Sequence, residues 1–111
     1  TLQRNWWAME AMHQQIATQP QEAWRTLLGL VEAAENDAML ETIGAGPLED
    51  FFRAHAKEFV ALAESEASRS TKLRTALERV WIPRGEDENT RRLVALGCKP
   101  VGAQMWSRHS R

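Results

Sequence analysis

At 111 residues, with 43% hydrophobic and 26% charged side chains, the chain has the size of one domain and the composition of a folded globule, which excludes wholesale disorder. A formal charge of −1 excludes an overall basic nucleic-acid binder, and one cysteine excludes an internal disulfide or a cysteine-built zinc cage. No apolar run approaches the roughly 18 residues of a membrane span, and no basic start followed by an apolar stretch marks a signal peptide, so the expected compartment is the cytoplasm.

Residues 4 to 17 read as an amphipathic helix, with Trp6, Met9, His13 and Ile16 at helical spacing and Trp7 and Met12 widening the stripe. A second helix is expected from Pro20 to Glu35. Pro20 suits its first position, where a missing N–H leaves no bond unmade, and Ala23, Trp24, Leu27, Leu28, Val31 and Ala34 line one face. Gly29 within it costs roughly 1 kcal/mol against alanine, which points either to close helix contact or to an uncorrected weakness.

Asp37 is placed to cap a short helix through Met39, Leu40 and Ile43. Gly44 is expected to stop that helix by taking positive φ, Gly46 to permit a reversal, and Pro47 to open the longest helix, running to about Ser68. Glu49 and Asp50 then fall in a first turn, facing the positive end of the helix dipole. An anion cradle at Gly44 to Gly46 is the alternative, disfavoured because both carboxylates would repel the ligand. Leu48, Phe51, Phe52, His55, Phe59, Leu62 and Ala63 form the apolar side of this helix.

A further helix is expected over Thr71 to Trp81, ending before Pro83. The stretch from 83 to 89 reads as a polar loop, and Asn89 or Thr90 is placed to cap a last short helix stopped at Gly97. Val101, Met105 and Trp106 are the candidates for docking the tail from about 100 to 111, whose end reads as frayed. No strand is predicted. The fold class is therefore all-α, a bundle or short stack of about five to six helices forming one domain over 1–111.

The run from Ala23-Trp24 through Ala45-Gly46-Pro47-Leu48-Glu49 to Ala76-Leu77-Glu78-Arg79-Val80-Trp81 resembles a small bacterial helical family of unknown function, with an Ala-Gly-Pro-Leu-Glu centre and a closing Ala-Leu-x-x-Val-Trp. The resemblance spans roughly residues 20 to 82. It implies a bacterial source and a stand-alone helical domain, and it implies no activity.

Candidate chemistry is sparse. His13, His55 and His109 form no His-x-x-x-His or Glu-x-x-His pair, so no metal ligand set and no cofactor is expected. His55, between Phe52 and Phe59 on an apolar face, reads as a core-edge histidine bonded to backbone. Glu49 and Asp50 point about 100° apart on a helix and do not form a facing carboxylate pair. Ser65, Ser68 and Ser70 lack a nucleophile context, and Cys98 in a turn-like stretch reads as inert. No catalytic residue is predicted, and the chain is not expected to be an enzyme. Of the five tryptophans, Trp24 and Trp81 read as core, whereas the adjacent Trp6 and Trp7 cannot both point inward without a broad buried stripe.

Charge is unevenly divided. Residues 1–68 hold four basic and eleven acidic side chains, a balance of −7, and residues 69–111 hold ten basic and four acidic, a balance of +6. The simpler reading is that the two halves pack and screen each other. The sharper one is a non-catalytic protein-binding domain, in the manner of an inhibitor or immunity protein neutralising a bacterial toxin or enzyme. Glu32, Glu35, Asp37, Glu41, Glu49 and Asp50, with Trp6 and Trp7, are the candidate partner-binding residues. The alternative is nucleic-acid binding through Arg69, Lys72, Arg74, Arg79, Arg84, Arg91 and Arg92. It fits poorly, because the connection expected between the last two helices is too long and too acidic for a helix-turn-helix.

Overall fold

Apolar side chains recurring every three or four positions set the order of the chain, which a computed structural model describes over residues 11–100. The expectations for Trp6, Trp7, Trp106, His109 and the tail after residue 100 lie outside the described residues. Helix α1, described over 11–18, turns Met12 and Ile16 inward. Helix α2 (Pro20–Ala33) starts at Pro20 as its sequence predicts and buries Ala23, Trp24, Leu27 and Val31. It ends two residues before Glu35, where Ala34 turns to extended backbone (φ −63°, ψ 133°). The Lys72 ammonium, 40 residues from Glu32, donates to the Glu32 and Ala34 carbonyls at 2.8 and 3.0 Å. Those are acceptors that the end of a helix leaves without intrahelical partners.

Helix α3 (Asp37–Ile43) is capped by Asn36, not by Asp37 as expected: Asn36 Oδ1 accepts from the Met39 amide at 2.9 Å. Asp37 sits in the first turn behind it.

The expected stop at Gly44 is absent. Gly44 is right-handed helical (φ −64°, ψ −45°), and the chain continues through a π turn (Gly44–Leu48) straight into α4 (Glu49–Ala67). Pro47 lies inside this turn rather than opening a helix. Proline in an α-helix lacks its donor and collides with the carbonyl four residues back, and one wider turn gives its ring room without ending the helix. Glycine is required at 44 for a different reason. A methyl built there would lie 2.0 Å from the Ala76 carbonyl oxygen and 3.0 Å from Arg79 Cβ, so the absent side chain is what lets this turn rest on helix α5 (Thr71–Leu77). Among the described residues the glycine with positive φ is Gly97, at 117°.

Helix α4 carries the core. Phe51, Phe52, Phe59, Val60, Ala63 and Ala67 are buried along it, and Trp24 of α2 lies among its rings, 5.5 Å from Phe51 and 6.0 Å from Phe59 between centroids. Phe51 and Phe59 meet edge to face at 4.8 Å, an arrangement that adds about 0.5–1.5 kcal/mol beyond area burial. The helix is interrupted at His55, whose backbone leaves helical values (φ −134°, ψ 25°).

Ser70 caps α5 by accepting from the Leu73 amide at 3.1 Å, and the helix ends at Leu77, four residues before the predicted end. Trp81 therefore does not sit on a helix. Trp81–Ile82 forms a two-residue strand, β1, paired in parallel with β2 (Lys99–Pro100). Two residues per strand are too few to show the alternation by which a strand is recognised in sequence. Between them, helix α6 (Glu88–Ala95) is capped by Asp87, whose side chain accepts from Thr90, rather than by Asn89 or Thr90. The fold is all-α, a compact bundle of helices with this one small ladder at its closing edge.

Candidate functional site

Six acidic side chains were candidates for a partner surface, and the fold separates them into two sets. Glu41, Glu49 and Asp50 are taken up by internal contacts. Glu41 pairs with Arg79 at 2.8 Å. Glu49, only 15% exposed, accepts the Trp81 backbone N–H through Oε1 at 2.9 Å and lies 3.3 Å from Arg53 through Oε2. Asp50 Oδ2 lies 2.6 Å from His13 Nε2, which ties α4 to α1. Because α3 passes through the π turn into the first turn of α4 without a break, neither Glu49 nor Asp50 faces an open helix start, and their expected capping role gives way to these contacts. The same continuity removes the anion cradle: the amides at Gly44 to Gly46 lie inside a helix, where they are already spent on its own carbonyls.

Glu32, Glu35 and Asp37 form the second set. All three are exposed, and they line one shallow concavity of about 520 Å³ at the α2–α3 corner, together with Ala34, Leu40 and Lys72. Among the described residues, no cation lies within ion-pair distance of these three carboxylates. Lys72 reaches the corner but spends its ammonium on two backbone carbonyls. The result is a negatively charged rim on a backbone that Lys72 holds from a distant helix.

Part of the basic half is engaged, whereas Arg74, Arg84 and Arg91 make no ion pair among the described residues. Arg69 pairs with Glu66 at 2.9 Å, Arg79 with Glu41, and Arg92 with Glu64 through two nitrogens, one of them Nε at 2.9 Å. Hydrogen bonds from Arg92, reinforced by its charge, hold the Glu64 carboxyl below its ordinary pKa against an opposing desolvation. The pairs Glu41–Arg79 and Glu64–Arg92 join the acidic half of the chain to the basic half, as the simpler reading of the charge division predicts. Helices α5 and α6 are joined by everything from Glu78 to Asp87, including β1, so they do not form a helix-turn-helix.

His55, Ser68, Ser70 and Cys98 each have a structural occupation. His55 Nε2 lies 2.8 Å from the Ile16 carbonyl oxygen at the end of α1, as a backbone-bonded core-edge histidine should, with its ring 5.4 Å from Phe51. Ser68 donates to the Ser65 carbonyl and Ser70 caps α5. Burial pushes the Cys98 thiol up to about 12, far from the thiolate a nucleophile needs. Among the described residues there is no group of three or more histidine, cysteine, aspartate or glutamate side chains placed to hold a metal ion, and no helix long and apolar enough to cross a membrane.

Lys72 as the residue that finishes α2, Glu49 as the acceptor for Trp81 and the His13–Asp50 contact appear only in the folded chain. No sequence signal marks these pairs, whose members stand 32 to 40 residues apart.

Fold and surface together define a small all-α domain in which several polar side chains bind its own backbone and one another, while the carboxylates of the α2–α3 corner stay exposed. The chain belongs to a family of unknown function, DUF6869, whose family model matches residues 1–100. That match extends well beyond the 20 to 82 over which the resemblance was legible. No curated protein and no solved structure matches the chain.

Proposed function

We propose that this chain is a non-catalytic protein-binding domain whose contact surface is centred on Glu32, Glu35 and Asp37 and whose partner presents a basic patch. The observation that carries this reading is the division of the acidic side chains. Of the six candidates three are drawn into intrachain contacts, and three line one concavity, exposed and, among the described residues, with no cation within ion-pair distance, the Lys72 ammonium there being bonded to backbone carbonyls. Unpaired like charges held on a fixed corner raise the encounter rate with an oppositely charged surface and suppress like-charged competitors. The non-catalytic part of the reading rests on the positive roles of His13, His55, Ser70 and Cys98, each engaged in packing or bonding. Within this class the domain acts as an inhibitor or immunity protein against a basic toxin or enzyme of the same cell, a step taken by analogy from its small size, helical body and acidic front half. Its place is the cytoplasm, where a lone buried thiol stays reduced.

The test is affinity capture from the source cells at low and high salt, with the wild-type chain and a triple charge reversal at Glu32, Glu35 and Asp37. A stoichiometric basic protein held by the wild type and lost with the reversal is the expected result, and co-expression of the chain should then neutralise that protein's activity. Equal capture by both chains would show that the corner is not the contact surface. Nucleic acid retained at about 50 mM salt and released at higher salt would transfer the function to the basic half.

A further inference from the structure

We draw no further inference here: the strongest candidate, the shallow apolar groove between α2 and α4 lined by Trp24, Phe59 and the exposed Leu62, is an unpartnered face, and nothing in the structure shows what covers it.

Discussion

Replacing Gly44 by alanine separates two explanations of the same residue. If glycine served only as a flexible joint, alanine in this right-handed helical position would stabilise the chain by up to about 1 kcal/mol, because glycine is the weaker helix former. The structure predicts the opposite. The new methyl would stand 2.0 Å from the Ala76 carbonyl oxygen, whereas ordinary contact begins near 3.4 Å, so the two elements must separate by about 1.4 Å. The obstacle is backbone and cannot rotate away. Moving α5 outward loosens Leu73, Ala76 and Leu77, all at most 1% exposed. Overpacking of this kind costs roughly 1–3 kcal/mol, and occasionally more, and the backbone obstacle puts Gly44→Ala at the upper end, about 3 kcal/mol. In urea, with a slope near 1.5 kcal/mol per M for a domain of this size, the midpoint should fall by about 2 M. Tryptophan fluorescence reports the transition, since Trp24 lies in the core. A midpoint equal to or above that of the wild type would refute the close approach of the π turn to α5.

Gly29→Ala is the internal contrast: nothing lies within 4 Å of a methyl there, so the same substitution should raise stability by about 0.5–1 kcal/mol in the same assay. Cys98 should react with a thiol reagent only as fast as the chain opens. Its thiol titrates near 8.5 when unfolded and near 12 when folded, so the unfolded state loses its proton first and stability falls as pH rises between those values. Comparing urea midpoints at pH 8 and 10 should show a steeper loss for the wild type than for Cys98→Ala, and parallel losses would contradict the burial of the thiol. Glu64 has the opposite sign. Its folded pKa is lowered, so its contribution is complete above the unfolded carboxyl value and disappears as pH falls through the folded one. Thermal unfolding followed from pH 6 to 3 should therefore decline less in Glu64→Gln than in the wild type, and identical slopes would dismiss the Arg92 contact as a determinant of acid stability.

The helical class of this protein, the start of α2 at Pro20 and the stop at Gly97 were all legible along the chain. Periodicity, proline at a first turn and glycine after a last one are decided within a few residues. The segment Gly44 to Asp50 holds the residues of a joint but folds as continuous helix. Glycine, proline and two acids describe a joint equally well as a π turn in a continuous rod, and the Ala76 carbonyl that decides between them lies 32 residues away. Trp81 shows the same limit, since its place in β1 depends on Lys99, to which nothing in its local sequence points. The candidate surface was half legible. That the front of the chain is acidic follows from composition, but which carboxylates stay open depends on where Arg79, His13 and the Trp81 amide are carried by packing. Local preferences are additive and readable in order, whereas the pairing of side chains 30 to 40 residues apart exists only once the helices have closed on Trp24, Phe51 and Phe59. Helical character and the supply of charge are set by neighbours along the chain, whereas the closing of the helices selects which carboxylates are paired and which stay free.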